Sequence, residues 1–261
     1  MLRAFSTAAT GMTGQQMMVD VIANNLANIN TNGFKRSQFD FQDLLYDQIQ
    51  QPGIEVSSGI NAPGGLEIGS GVRVGSTVKV FTPGELQSTG RSLDIAITGE
   101  GFLQVNMPNG EIRYTRDGAL QVNANGEVVT TTGYSIEPAI TIPIDALSVD
   151  VGKDGGVNVT DSSGTLSVVG NIQLARFANP AGLSNDGDNL LAETEASGTP
   201  TTGTPGESGF GTIQSGFLEK SNVQMVTELV NLITAQRAYE VNSRAIRAGD
   251  DMLRTANSIV R

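Results

Sequence analysis

The sequence has 261 residues, a formal net charge of −11, and no Cys, His or Trp. The missing residue types exclude disulfides, thiolate chemistry and imidazole–metal sites, and they remove the usual nucleophile–base pairs of enzymes. The acidic balance argues against binding to nucleic acid. We therefore expect no catalytic residue, no cofactor and no metal site.

The spacing of apolar residues within residues 1–35 predicts a long helix, from about residue 3 to 29, with one apolar stripe. The stripe follows a seven-residue repeat and its intermediate positions, and its candidate assembly residues are Leu2, Phe5, Met12, Val19 and Leu26. Such a stripe must be buried against another helix. Gly11 and Gly14 lower helix propensity and mark a kink or a close approach of a second helix.

The N-terminal segment carries no recognisable signal peptide, because Ser6, Thr7, Thr10 and Gly11 interrupt its apolar residues. Nothing in the sequence approaches the roughly 18 consecutive apolar residues of a membrane-spanning helix. We expect a chain that is either cytoplasmic or exported by a route that removes nothing.

Residues 36–75 predict a connecting arm or extended hairpin. A brief aromatic-rich anchor is followed by a Gly-rich stretch from Gln50 to Gly75, which cannot bury much apolar surface alone. It is either a flexible loop or an arm that lies on a neighbouring subunit. The candidate arm residues are Leu44, Leu45, Tyr46, Pro52 and Gly53.

Residues 76–220 predict a mainly antiparallel β domain. Alternating runs read as strands at 94–97, 102–105 and 112–114. Dipeptides that favour tight hairpin turns separate such runs at Asn109-Gly110, Asn125-Gly126 and Asp154-Gly155. Residues 179–216 are rich in Gly, Thr, Ser, Asn and Pro and predict long loops.

Two carboxylate pairs of the β domain could in principle perform acid–base chemistry, Asp94 with Asp117 and Asp186 with Asp188. Their Gly- and Asn-rich surroundings favour a role in turns instead. The run from Asn185 to Asn189 lacks the spaced ligands and closing Glu of a calcium loop and also reads as a turn.

Residues 221–261 predict a second long helix, with Ser221 or Asn222 as its cap. Its apolar stripe repeats every seven residues at Met225, Leu232, Tyr239, Ile246 and Leu253. The two terminal helices are expected to pair as a coiled-coil-like domain beside the β domain, which gives an α+β protein. Most of the negative charge lies in the middle of the chain, so near-neutral ends can pack together in a polymer.

The block from Asp20 to Arg36, with the sequence DVIANNLANINTNGFKR, resembles the N-terminal signature of the bacterial flagellar rod and hook family. Three further blocks agree with this resemblance, at residues 93–105, 114–118 and 228–242. Together they extend it almost from one end of the chain to the other.

The resemblance implies a structural protein that polymerises helically into a hollow, rigid drive shaft, which transmits torque from motor to hook and serves motility. Residues 1–35 and 221–261 would line the inner tube, and residues 76–220 would face outward. The implied partners are further copies of the chain, proximal rod proteins, the hook protein, the surrounding P- and L-ring proteins and the flagellar type III export apparatus. The implied location is the basal-body rod, which crosses the periplasm to the outer membrane and is exported without a cleaved signal peptide.

Within this family, the length favours the distal section of the rod, because there is no room for the large extra domain of a hook protein. A proximal rod protein of similar length is the main alternative. A trimeric fibre or phage-tail-like protein, and an acid-catalysed enzyme that cleaves cell-wall glycan, are alternatives from other classes.

Three asparagines near the end of the first helix are candidates for hydrogen bonds between helices of different subunits, at Asn24, Asn25 and Asn28. Solvent exposure and helix capping are the alternative roles for these side chains.

Overall fold

A computed structural model describes residues 2–51, 55–57, 60–61, 64–207 and 209–259. The chain divides into two compact units. The first consists of Met1–Leu26, Ser37–Val78 and Met225–Arg261, and the second of Ala27–Arg36 and Lys79–Gln224. The predicted α+β class is confirmed, because two long helices flank a middle built of short antiparallel strands.

The first unit contains both helices and one long β-hairpin. Its elements are α1 (Leu2–Ala27), β1 (Ser37–Asp43), β2 (Tyr46–Gln50), β3 (Glu55–Ser57), β4 (Ile60–Asn61), β5 (Leu66–Gly69), β6 (Val72–Lys79) and α2 (Met225–Ile259). The strand pairs are nested, β1 with β6, β2 with β5 and β3 with β4, so the segment folds back on itself as a single ribbon. Neither helix is long and apolar enough to cross a membrane.

The two helices run antiparallel, and small residues allow them to approach closely. A Cβ atom added to Gly11 would lie 2.8 Å from Nδ2 of Asn242, and one added to Gly249 would lie 2.8 Å from the Phe5 ring. Gly11 of α1 therefore marks a contact with the second helix, as expected, whereas Gly14 makes room for the ring of Phe41 in β1.

The described residues of the second unit form short strands and one turn of 3₁₀ helix, Pro180–Gly182. Its strands are β7 (Leu86–Ser88), β8 (Ile95–Thr98), β9 (Phe102–Asn106), β10 (Ile112–Thr115), β11 (Leu120–Val122), β12 (Val128–Thr130), β13 (Ser135–Glu137), β14 (Ala146–Val151), β15 (Gly156–Asp161), β16 (Leu166–Asn171), β17 (Leu174–Arg176), β18 (Ser184–Gly187), β19 (Leu190–Ala192), β20 (Thr201–Gly203), β21 (Thr212–Ser215) and β22 (Phe217–Glu219).

A large antiparallel sheet forms the centre of the second unit. Its strands follow the order β11-β12-β13-β9-β10-β19-β18, and β17 joins β9 to β20. A separate three-stranded sheet has the order β14-β15-β16. Apolar side chains from both sheets share one core, which includes Leu103, Ile136, Val157 and Leu174.

The predicted strands and tight turns of this unit are confirmed. Strands β8, β9 and β10 cover the predicted alternating runs. Each turn glycine has a positive φ, from 83° to 84° at Gly110, Gly126 and Gly155, which side chains other than glycine adopt only with strain.

The prediction of long loops over residues 179–216 is wrong in part. The segment contains the β18–β19 hairpin, strand β20, and strand β21, which pairs with β8 more than a hundred residues earlier in the sequence. These strands have only three or four residues each, β18 is polar, and β21 pairs with a distant strand, so local composition does not reveal them. The predicted turn at residues 185–189 is correct, because Gly187, Asp188 and Asn189 all have left-handed backbones.

A buried ionic cluster connects four distant parts of the second unit. The Glu219 carboxylate lies 2.6 Å from Nζ of Lys35 and 3.1 Å from Nε of Arg116, and it accepts a hydrogen bond from the Gly84 N–H. The Arg116 guanidinium also donates to the carbonyl groups of Gly99 and Gly101. Burial lowers the pKa of Lys35, and the adjacent Glu219 carboxylate acts in the opposite direction.

The helix start predicted at Ser221 or Asn222 is wrong, because α2 begins at Met225. The Asn222 side chain accepts a hydrogen bond from the Arg36 N–H and donates to the carbonyl group of Val80. Asn222 therefore links strands and connecting segments of the second unit instead of capping the helix.

We expect the substitution Glu219→Gln to lower the free energy of unfolding by about 3–5 kcal/mol, because it leaves Lys35 and Arg116 buried without a counter-charge. Urea denaturation measures this loss. The matched control is Glu195→Gln at an exposed site, where we expect a change within about 0.5 kcal/mol. Equal effects of the two substitutions would contradict a stabilising role for the cluster.

Candidate assembly surface of the helices and the hairpin arm

The predicted apolar stripes are only partly covered within one chain. Six stripe residues are half-buried: Phe5, Met12, Val19, Leu26, Leu232 and Ile246. Three others are exposed: Met225, Tyr239 and Leu253. Leu2 belongs to α1, but its side chain lies outside the described residues. The most deeply buried apolar side chains in the described parts of the two helices are instead Ile22 and Ala235.

The N-terminal half of α2 carries a second apolar face that the heptad pattern missed. Val226 is 75% exposed, and Val230, Ile233 and Val241 are also exposed. Positions 226, 230 and 233 follow the i, i+4, i+7 spacing of one helix face, which was available as a signal in the sequence. Hydrophobic side chains therefore lie on two faces of the first half of α2. A single neighbouring helix cannot cover both faces.

The hairpin begins beside the end of α1 and runs back along that helix. The Asn25 side chain donates to the Ser37 carbonyl group at 2.8 Å and accepts from the Ser37 N–H at 2.9 Å. Further along, the Thr10 hydroxyl accepts a hydrogen bond from the Val72 N–H, and Arg3 forms an ion pair with Asp47.

Strands β2 and β5 of the arm, and the residue just before β2, present apolar side chains to solvent. Leu45 is 88% exposed, and Tyr46, Ile49, Leu66 and Ile68 are exposed as well. Leu44 is half-buried, and its N–H donates to the Gly71 carbonyl group. The predicted arm residues Pro52 and Gly53 lie outside the described residues. The extended hairpin thus has a well-packed base and an apolar ribbon with little cover from its own chain.

The three candidate asparagines occupy different environments. Asn25 is buried and bonded to Ser37 of its own chain, so its side chain is not available for the predicted bond between subunits. The Asn28 side chain accepts a hydrogen bond from the Thr31 hydroxyl group, just after the end of α1. Asn24 is exposed.

The carboxylates considered for chemistry support turns and ion pairs. Asp117 accepts a hydrogen bond from the Ala119 N–H, and burial raises the pKa of this carboxyl group. Asp186 lies 2.7 Å from Nε of Arg113. Within the described ranges, no group of His, Cys, Asp and Glu side chains is arranged to hold a metal ion.

Three family models match the chain, each over a different part. The model described as flagella basal body rod protein matches residues 5–35. The model of the flagellar hook protein FlgE/F/G D1 domain matches residues 96–159, and that of the flagellar basal body rod FlgEFG protein C-terminal matches residues 214–259. These matches define the class as the rod and hook proteins of the bacterial flagellum.

Relatives of similar length narrow this assignment. The chain is 46% identical over 254 residues to the flagellar basal-body rod protein FlgG of Buchnera aphidicola subsp. Baizongia pistaciae, and the match covers 97% of this chain and 98% of the relative. It is 45% identical to FlgG of Caulobacter vibrioides, over 99% of both chains, and 43% identical to FlgG of Borreliella burgdorferi, over the whole of both chains. The chain belongs to the FlgG family of flagellar basal-body rod proteins. It is a structural subunit of the flagellar rod and serves motility, which confirms the resemblance seen in its sequence.

We expect Asn25→Ala to lower the free energy of unfolding by about 1–3 kcal/mol, because it leaves the N–H and carbonyl groups of Ser37 without their partner. Thermal or urea denaturation checks this value. Asn24→Ala, in which an exposed side chain is shortened, serves as the control and should have a smaller effect. If the two variants had the same stability, the bonds to Ser37 would contribute little.

Proposed function

We propose that copies of this chain polymerise through their terminal helices into a hollow helical shaft, the distal section of the flagellar rod, which transmits torque from the motor to the hook. Membership of the FlgG family supports a place in the rod. The observation that carries the assembly mechanism is the apolar surface of α1 and α2 that remains uncovered in a single chain.

The extent and position of this exposed apolar surface support the proposal that further copies of the chain cover it. A soluble monomer rarely exposes a continuous apolar patch of this kind unless it is an interaction site. The stripe residues of α1 are only half-buried, and α2 exposes apolar side chains on two faces, so each copy offers more than one contact. Several different contacts per copy are what an open helical polymer requires.

The charge distribution supports the same arrangement. The terminal segments are close to neutral, while the acidic residues lie mainly in the middle of the chain. Helices from adjacent copies can therefore pack without strong repulsion, and an acidic β unit keeps the surface of the polymer hydrated.

The hairpin arm is proposed to bridge adjacent subunits and to stiffen the shaft. Its base is fixed to α1 by the Asn25–Ser37 bonds, and its exposed apolar side chains, such as Leu45 and Ile49, are placed where another copy can cover them. A ribbon that is fixed at one end and bound to a neighbour at the other resists sliding between the two subunits.

The neighbours of the assembled chain are proposals drawn from its family. They are proximal rod proteins at one end, the hook protein at the other, and P- and L-ring proteins around the shaft where it crosses the periplasm to the outer membrane. Export through the flagellar type III apparatus, without removal of an N-terminal segment, and the absence of any catalytic role belong to the same proposal. The distal section is preferred to the proximal one because the full-length relatives at 43–46% identity are FlgG proteins.

We expect Val230→Asp to leave the monomer folded but to block polymerisation. The side chain is exposed in the single chain, and in the polymer the new carboxylate would be buried without a partner. Val230→Thr has nearly the same shape and no charge, and should polymerise at a concentration close to that of the wild type. Sedimentation measures polymerisation, and circular dichroism verifies the fold. Normal polymers from Val230→Asp would remove this face from the proposed interface.

Electron microscopy of the same samples distinguishes an open helical tube from a closed trimeric fibre.

We expect deletion of residues 54–66 to give curved or flexible rods, because it removes the outer part of the arm. Replacement of the same residues by a Gly-Ser segment of equal length controls for loop length and should also give flexible rods. Persistence length, measured on electron micrographs, reports the stiffness. Straight rods of unchanged stiffness from both variants would show that the arm does not set it.

A further inference from the structure

The second unit carries a groove, whose described lining has no ionisable side chain, along the β14 edge of its three-stranded sheet. The groove has a volume of about 510 Å³, and its apolar lining includes Leu93, Val122, Ile142, Ile144, Leu147 and Val149. Ile144 is 96% exposed, and Leu147 is also largely exposed. None of the described residues that line the groove is ionisable.

The opposite edge of the same sheet presents a ridge of exposed apolar side chains. Strand β16 is the terminal strand in the order β14-β15-β16, so its outer backbone groups have no neighbouring strand among the described residues. Leu166 is 67% exposed and Val168 is 70% exposed, and both lie on the face opposite the core, across from Thr160 and Asn158 of β15. The strand contains no ionisable residue.

These two edges are unusual on a chain with a net charge of −11. Acidic copies repel one another wherever they meet, so contacts between copies favour surfaces without charge. An open edge strand with apolar side chains is also a site where chains associate, unless it is covered. The two surfaces differ in shape and lie at opposite edges of one sheet, as a head-to-tail contact between identical subunits requires.

We propose that the β16 edge of one copy, with Leu166 and Val168, seats in the β14-side groove of the next copy, around Ile144 and Leu147. This contact joins the β units of successive subunits and is separate from the contacts of the terminal helices. It rests on the proposed polymerisation, because a head-to-tail contact repeats only in a polymer.

Because the chain has no Cys, engineered cysteines test the contact without background. The double variant Ile144→Cys with Val168→Cys is polymerised and oxidised, and the products are separated on a denaturing gel. The expected result is a ladder of dimers, trimers and higher multimers. A mixture of the two single variants should give dimers only, and each single variant alone should remain monomeric.

A second variant measures the contribution of the contact to assembly. Val168→Asp should raise the concentration needed for polymerisation at least about tenfold, because it places a carboxylate in the apolar groove. Thr132→Asp adds the same charge at an exposed turn of the other sheet and should leave that concentration unchanged.

The outcomes separate this inference from the proposed function. Polymers that are visible by microscopy but give no ladder would overturn the β-unit contact alone, as would a dimer formed by either single variant, which indicates a symmetric contact. After either result, the groove and the ridge would be regarded as covered by another protein or as exposed to solvent. If the wild-type chain formed no polymer under any condition, the proposed function and this inference would fail together.

Discussion

Two helices that pair along a single line can cover only one side of each other, and this geometric limit underlies most of what the chain does. Small residues such as Gly11 and Gly249 let α1 and α2 approach closely, but they leave the larger apolar residues at the margin of the contact or outside it. The uncovered surface includes most of the first half of α2. A chain with this geometry is stabilised further by each neighbour that packs against it, so assembly and helix packing draw on the same hydrophobic effect.

The second unit, or β unit, is built from two separate segments of the chain. The polypeptide passes between the two compact units after Leu26, Arg36, Val78 and Gln224. Within the β unit, segments next to these crossings are joined by the Lys35–Glu219–Arg116 cluster and by the Asn222 side chain. Such polar networks have strict geometric requirements, which makes them suited to holding chain segments in one arrangement. Hydrogen bonds and ion pairs, as well as apolar packing, would therefore resist a mechanical force on the connecting segments.

The same features suit an acidic subunit to a place in a rod. Acidic residues concentrated in the middle of the chain favour hydration, and exposed apolar side chains lie at three places: the helix faces, the hairpin arm and the two edges of the three-stranded sheet. In the FlgG family the chain serves as a rod subunit, and contacts at three separate places would resist bending and twisting better than contacts at the helices alone.

By itself, the sequence determined the features that depend on local pattern: two terminal helices, the antiparallel β class, the Asn-Gly and Asp-Gly turns, and the signature of the flagellar rod and hook family. These follow from periodicity and turn chemistry within short windows. Only the tertiary structure decided which parts of the apolar stripes are covered. It also placed the hydrogen bonds of Asn25 within its own chain and made Asn222 a link between strands. The contact of Glu219 with both Lys35 and Arg116 is likewise visible only in the folded chain. Each of these features depends on residues that are far apart in the sequence, such as Lys35 and Glu219, which are separated by 184 positions. A local sequence pattern does not identify such a distant partner.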